Sequence, residues 1–165
     1  MPASGSSIFT DADSYQSCLH GMLDLLIVRP DEFRARLTWV DLKTIRLLRA
    51  RETSKRIATV TLAPRRVFIT FPTQRDSLLI YDGIALNFGD FMLHSPGEHM
   101  HQRTISASQW GSICLTPLSL ETFTKTVAGR LITRRLSAGF IRHFQPTGAS
   151  FCVCTHRPVA SRKRT

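Results

Sequence analysis

Three histidines and a glutamate crowd around a Pro-Gly turn in the segment GDFMLHSPGEHMHQRT, residues 89–104. Imidazole and carboxylate groups are common ligands of transition metals, so this segment is a candidate metal site. His99 and His101 are two residues apart and share one face of a strand, and His94 would reach them across a hairpin, whereas Glu98 lies on the opposite face. We expect no resident metal, because a fourth ligand is missing from this set. If a metal does bind, its ligands are His94, His99 and His101.

The alternative is a structural role for the same histidines, in which His101 satisfies a polar spot in or near a pocket and His99 faces solvent. The four cysteines give little support to the metal-site hypothesis, since their one close pair, Cys152 and Cys154, is spaced C-x-C. That spacing is neither a redox C-x-x-C pair nor a structural zinc set. We therefore expect no cofactor.

The formal net charge of +10 is concentrated near the C-terminal end of the sequence. Nine of the 22 basic residues follow Glu121 and none of the 12 acidic residues does, so the preceding part is nearly neutral. A basic segment of this kind either binds nucleic acid weakly through phosphate contacts or is a solvated extension without a partner. The candidate contact residues are Arg134, Arg135, Arg142, Arg162, Lys163 and Arg164.

The length of 165 residues and the hydrophobic fraction of 42% predict a globular protein with one main folded domain. No apolar run is long enough to cross a membrane, so we expect no membrane association. The first residues, MPASGSSIFTDADS, lack the basic start and apolar region of a signal peptide. We expect a soluble, cytoplasmic protein.

Short strands are the main elements that would position these side chains. In FRARLTWV, residues 33–40, apolar and polar residues alternate, which is typical of an antiparallel strand with one wet face. About nine or ten such runs follow one another, separated by turn sequences such as YDG (81–83) and SPGE (95–98). The pattern predicts a mainly β fold, a jelly-roll-like antiparallel barrel, which also leaves few exposed strand edges.

Two helices flank the predicted strands. The first begins at a Thr10 cap and ends at Gly21, and the second has Thr116 as its cap, an ion pair from Glu121 to Lys125, and Gly129 as its end. The apolar stripe of the second helix fits packing on the barrel or a dimer contact.

The turn GD at 89–90, an apolar strand, and PG at 96–97 before a histidine together resemble the second motif of the cupin barrel. The wider run from Ile8 to Arg130, including FRARLTWVDLKTIRLLRARE and HSPGE...HQRT...WG, is similar to the N-terminal domains of AraC-type transcriptional regulators. The resemblance rests on the order of strands and turns and includes no catalytic motif. It therefore implies a sensor and dimerisation domain rather than an enzyme.

The acid-free, aperiodic end of the sequence predicts a basic tail over 131–165 that is poorly structured or forms a short helix. The resemblance implies a cupin-like domain over residues 1–130 that holds a small-molecule effector. It also implies a homodimer through the helix at 117–128. AraC-type DNA-binding domains need about a hundred residues, whereas 36 follow Gly129, so the sequence matches a regulatory half truncated before its DNA-binding domain. The inward residues expected to line the ligand pocket are Phe33, Trp39, Phe91, His94, His101 and Trp110.

Two other functions fit parts of the sequence. A small metal-dependent cupin enzyme would use the three histidines of the 89–104 segment, although no first cupin motif is present. A non-specific nucleic-acid binder would act through the basic tail, with salt-dependent affinity.

Overall fold

Thirteen β-strands and two α-helices make up the residues that the computed structural model describes, which are 3–19, 22–27, 32–128, 139–141 and 153–155. The strands are β1 (Ser4–Phe9), β2 (Met22–Ile27), β3 (Ala35–Leu42), β4 (Ile45–Glu52), β5 (Arg56–Thr61), β6 (Val67–Pro72), β7 (Leu79–Tyr81), β8 (Ile84–Leu86), β9 (Phe91–His94), β10 (His99–Thr104), β11 (Ser108–Leu115), β12 (Gly139–Ile141) and β13 (Val153–Thr155). The helices are α1 (Ala12–Cys18) and α2 (Pro117–Ala128). The prediction of a mainly β chain is confirmed.

The strands form two antiparallel sheets. The larger has eight strands in the order β1-β3-β4-β11-β6-β9-β12-β13, and the smaller has five in the order β2-β5-β10-β7-β8. The main hydrophobic core includes Leu37 and Trp110 from the larger sheet and Tyr81 and Met100 from the smaller one. Since the core draws on both sheets, it lies between them, as expected for a barrel-like antiparallel fold.

Alternation along the strands decides which side chains enter this core. In β3, Ala35 and Leu37 are buried while Arg36 and Thr38 are exposed, as the sequence predicts. The same alternation on β10 buries Met100 and its neighbours of the same parity. A charged residue that falls on the inward parity is therefore forced into the interior.

The N-terminal region differs from the prediction in two ways. Helix α1 starts later than predicted, because Asp11 is its N-cap: the Asp11 carboxylate accepts a hydrogen bond of 2.8 Å from the Ser14 amide. The strand β1 was not predicted, since Ser and Gly have little intrinsic preference for strands. It pairs with β3, and Gly5 fits against the ring of Trp39, where an added Cβ would lie 2.5 Å from the ring.

The segment from 89 to 104 is not a hairpin, contrary to the prediction. Strand β9 pairs with β6 and β12 in the larger sheet, whereas β10 pairs with β5 and β7 in the smaller one. The turn between them, with Gly97 at φ 73°, carries the chain from one sheet to the other. The side chains of the two strands therefore do not lie side by side on one surface.

Helix α2 begins as predicted. Thr116 accepts a hydrogen bond of 3.1 Å from the Ser119 amide, and the Glu121–Lys125 ion pair is present at 2.7 Å. Leu120 is buried on the outer side of the larger sheet against Val67 and Leu115. No helix among the described residues is long and apolar enough to cross a membrane.

Part of the predicted tail continues the larger sheet. Residues 139–141 pair with β9 and residues 153–155 pair with 139–141. The six basic residues predicted to contact nucleic acid, which are Arg134, Arg135, Arg142, Arg162, Lys163 and Arg164, lie outside the described residues.

Candidate functional site

A buried ion pair joins the two sheets at one end of the core. Glu52 is the last residue of β4 in the larger sheet and Arg56 is the first residue of β5 in the smaller one. Arg56 Nε donates to Glu52 Oε2 over 2.7 Å, and the side chains are 2% and 0% exposed, respectively. A buried pair remains ionised only when further hydrogen bonds replace the lost water.

Three further donors surround the Glu52 carboxylate. Tyr15 Oη donates to it over 2.6 Å, Trp110 Nε1 over 3.0 Å and Ser108 Oγ over 3.1 Å. Burial raises the pKa of Glu52. The charge of Arg56 and the hydrogen bonds of Tyr15, Arg56 and Trp110 lower the pKa by more than burial raises it, so the pKa lies below the ordinary 4.5. Glu52 is therefore ionised inside the core at neutral pH.

Arg56 extends the network into the smaller sheet. Its Nη1 donates to Gln102 Oε1 over 2.9 Å, and Gln102 Nε2 donates to Tyr81 Oη over 2.7 Å. The guanidinium carbon lies 5.9 Å from the ring centroid of Trp110, a cation-π distance. Within the described part of the chain, Arg56 Nη2 has no hydrogen-bond partner.

His94, the last residue of β9, is buried next to the Tyr81 side of the network. The rings of Tyr81 and His94 are in contact, with 5.3 Å between their centroids, and Thr70 Oγ1 lies 2.8 Å from His94 Nε2. His94 Nδ1 lies 3.4 Å from Glu98 Oε1, and the His94 side chain is 1% exposed. Two sets of hydrogen-bonded side chains, in contact through the Tyr81 and His94 rings, thus cross an otherwise apolar core, where a polar group is costly unless it is hydrogen-bonded.

This network borders a cavity of about 90 Å³ between the sheets. A water molecule occupies about 30 Å³ in the liquid, so the cavity has room for several waters or one small organic group. Its walls combine the polar side chains with an apolar set. The lining residues are Leu19, Leu48, Arg56, Val60, Leu62, Ala63, Phe68, Thr70, Tyr81, His94, Met100, Gln102, Trp110 and Ser112.

A second pocket of about 320 Å³ adjoins the cavity and shares four apolar residues with it: Leu19, Leu48, Ala63 and Phe68. The other residues of this outer pocket include the cations Lys43, Arg46 and Arg66 and one acid, Asp41. Arg46 Nε lies 3.2 Å from Asp41 Oδ1, yet the direction of its N–H does not make this contact a hydrogen bond. The outer pocket is thus cationic, and its Arg46 Nε donor is unsatisfied.

Two of the six residues predicted to line the pocket do line the cavity, namely His94 and Trp110. The other four do not. Phe33 is buried behind the cavity against Tyr15, at 5.6 Å between ring centroids, and Phe91 packs on Phe71 at 5.4 Å. Trp39 is half-buried at the edge of the core, against β1.

His101 is the fourth exception, because it is exposed on the outer face of β10 together with His99. The two rings are 5.9 Å apart and are held by Thr59 and Thr61, whereas His94 points into the interior. Among the described residues, no group of three or more His, Cys, Asp or Glu side chains is arranged to hold a metal ion. The three histidines therefore do not converge, because β9 and β10 belong to different sheets.

Five residues of the site were not predicted from the sequence: Glu52, Arg56, Thr70, Tyr81 and Gln102. Parity along the strands was a usable signal for the first two. Ala50 and Glu52 share one face of β4, and Arg56 and Ala58 share one face of β5, so both charges follow the parity of buried alanines. The partners of these charges come from distant strands and carry no local signal.

The two tyrosines of the chain provide a test of this network, because both are buried within it. Burial raises the pKa of Tyr15 well above 10, and burial raises that of Tyr81 to about 12. Because the folded-state pKa is raised, their contribution to stability is fully present below the unfolded value of about 10 and is lost as the pH rises through the folded value.

We therefore expect the folded protein to show almost no tyrosinate absorbance at about pH 10.5, whereas the urea-unfolded chain is more than half ionised there. An ultraviolet pH titration with and without urea measures both. A folded-state midpoint near pH 10 would mean that Tyr15 and Tyr81 are solvated.

No protein-family model matches the chain, and no curated protein is significantly similar to it in sequence. Among solved structures, the fold is similar to that of the AraC-like transcriptional activator CuxR, with a TM-score of 0.53 and 13% sequence identity. The match covers 74% of this chain and 50% of CuxR, so the chain spans about half the length of that protein. At this identity the likeness shows a shared fold, and it supports the AraC-type resemblance at that level.

Proposed function

We propose that this chain is the ligand-sensing and dimerisation domain of an AraC-type transcriptional regulator and has no enzymatic activity of its own. The fold shared with an AraC-like activator supports the regulator class. In this proposal, the cavity between the sheets takes up a small-molecule effector. The proposal assigns DNA recognition to none of the described residues.

The observation that carries the proposal is the buried polar network along one wall of the cavity. Glu52 and Arg56 are desolvated, and a well-packed apolar pair is often as stable as a buried ion pair. Arg56 lines the cavity and uses Nε and Nη1 within the network, so a ligand in the cavity can accept a hydrogen bond from its remaining donor. Since the same residues join both sheets, occupancy of the cavity changes how the sheets are held together.

The proposed dimer contact lies on helix α2. Leu118 in its first turn is 71% exposed although it is apolar, while Leu120 is buried against the sheet. In this proposal, Leu118 lies in the dimer contact while Leu120 holds the helix on the larger sheet.

A cavity-filling substitution tests the sensing proposal. Val60 lines the cavity, whereas Val40 on β3 lines neither the cavity nor the outer pocket, so Val60→Phe and Val40→Phe are a matched pair. We expect a small-metabolite library to contain a compound that raises the melting temperature of the wild type and of Val40→Phe but not of Val60→Phe. At a ligand concentration of 100 times Kd, the stabilisation is about 2.7 kcal/mol.

Differential scanning fluorimetry measures these shifts. A compound that stabilises Val60→Phe as much as the wild type binds elsewhere and contradicts the proposed site. A broad library without any stabilising compound contradicts the sensing function.

A further inference from the structure

The cavity wall holds hydrogen-bond donors that the protein itself leaves without acceptors. Arg56 uses Nε for Glu52 and Nη1 for Gln102, and Nη2 has no partner in the described part of the chain. Ser112 is buried and lines the same cavity, and its hydroxyl makes no hydrogen bond to any described residue. Neither atom is among the fully buried, unpaired polar atoms of the described residues, so both keep access to the space of the cavity, where a ligand can supply an acceptor.

The two donors lie at the polar end of the cavity. Ser112 and Trp110 are on the same face of β11, Arg56 lies against Trp110, and Ser112 is in register with Thr70 on β6. Other polar groups there already bond to each other, since Gln102 donates to Tyr81 and Thr70 is hydrogen-bonded to His94. What this end lacks is an acceptor rather than a donor.

The charge around the cavity favours an anionic acceptor. Glu52 neutralises Arg56, but the adjoining outer pocket presents Lys43, Arg46 and Arg66 against Asp41 alone. A path lined by an excess of positive charge raises the local concentration of anions and their association rate. A neutral acceptor would gain no such increase in association rate.

The rest of the cavity wall is apolar, and it leads away from Arg56 towards the outer pocket. Leu48 and Phe68 line both spaces, while Val60, Leu62 and Met100 line the cavity alone. A ligand that fills this volume of about 90 Å³ therefore has a short apolar body attached to its charged group.

We infer that the cavity binds a short-chain carboxylic acid, with the carboxylate accepting hydrogen bonds from Arg56 Nη2 and Ser112 Oγ and the hydrocarbon lying against Leu48, Val60 and Phe68. This inference rests on the proposed sensing function and names the chemical class of the effector. Arginine suits this role because its planar donors match a carboxylate.

Isothermal titration calorimetry of the full chain with pentanoate and pentanamide tests whether the ligand is a carboxylate. We expect pentanoate to bind at least about tenfold more tightly than the amide of the same length, because hydrogen bonds to an ionised acceptor are the stronger ones. Equal affinities for the acid and the amide would overturn the inference.

Two variants test the residues. Ser112→Ala and Arg56→Lys each remove one proposed donor, and the lysine retains the positive charge beside Glu52. We expect each to weaken pentanoate binding by about 10- to 100-fold, the usual value of a hydrogen bond to a charged group. Arg49→Gln, which removes an exposed cation on the outer face of β4, is the control and should bind as the wild type does.

The possible outcomes distinguish a wrong ligand class from a wrong sensing function. Pentanoate affinity unchanged in Ser112→Ala overturns the inference even if Arg56→Lys fails to fold. If pentanoate does not bind while a library compound does and is blocked by Val60→Phe, the carboxylate class is wrong and the sensing function stands. If pentanoate binds Val60→Phe as well as it binds the wild type, the proposed site itself is wrong.

Discussion

Replacing Glu52 with alanine is expected to lower the free energy of unfolding by about 3–5 kcal/mol, because removing one partner of a buried ion pair leaves the other charge uncompensated. The variant leaves the Arg56 guanidinium without its ion-pair partner, and it also removes the acceptor for Tyr15, Ser108 and Trp110. Urea denaturation followed by far-ultraviolet circular dichroism measures the loss without depending on Trp110 fluorescence.

The chain contains a matched control for this variant. Glu121 and Lys125 have the same i,i+4 spacing and the same 2.7 Å separation as Glu52 and Arg56, but their side chains are 35% and 53% exposed. Glu121→Ala should cost no more than about 1 kcal/mol, as measured for solvent-exposed pairs. Similar losses in the two variants would show that Glu52 is not in a buried network.

Replacing Arg56 with methionine is expected to cost about 3–5 kcal/mol at neutral pH and to change the sign of the dependence of stability on pH. In the wild type, the pKa of Glu52 is lowered below 4.5. The contribution of Glu52 to folding stability is therefore present above pH 4.5 and is lost as the pH falls through the folded-state pKa. Without the charge of Arg56, burial dominates and raises the pKa of Glu52 above 4.5.

In Arg56→Met, the contribution of Glu52 to folding stability is then present at low pH and is lost as the pH rises through the raised folded-state pKa. The stability difference between wild type and variant should therefore shrink on acidification from neutral pH towards pH 4.5. Urea midpoints across this range measure the difference, with Lys125→Met as the exposed counterpart. A difference that stays constant or grows on acidification would contradict an ionised, buried Glu52.

Local patterns in the sequence were sufficient for most of the strands, though not for β1 or for the strands β12 and β13 of the predicted tail, and for several strand ends. The YDG turn is confirmed: Asp82 and Gly83 have φ values of 45° and 86° and connect β7 to β8, as expected for a tight hairpin. The Thr116 cap is likewise set by residues close in sequence. These features depend on backbone preferences that a few neighbouring residues determine.

The site depends on contacts that no local pattern encodes. Glu52 receives hydrogen bonds from Tyr15, 37 positions away, and from Trp110, 58 positions away. The histidine cluster was misleading for the same reason, since adjacency in sequence suggested a hairpin, whereas the turn at Gly97 sends β9 and β10 to different sheets. The alternation along the strands would have predicted that Glu52 and Arg56 are buried, but only the tertiary fold shows that they contact each other.

The side-chain NMR signals of Arg56 provide the most direct test that the buried network is a ligand site. With ¹⁵N-arginine in the full chain and the Arg56 signal assigned by its absence in Arg56→Lys, pentanoate is added at neutral pH. We expect the Arg56 guanidinium signals to shift with ligand concentration while those of exposed Arg49 stay in place. Pentanoate binding that shifts Arg49 or other exposed arginines and leaves Arg56 unchanged would contradict it.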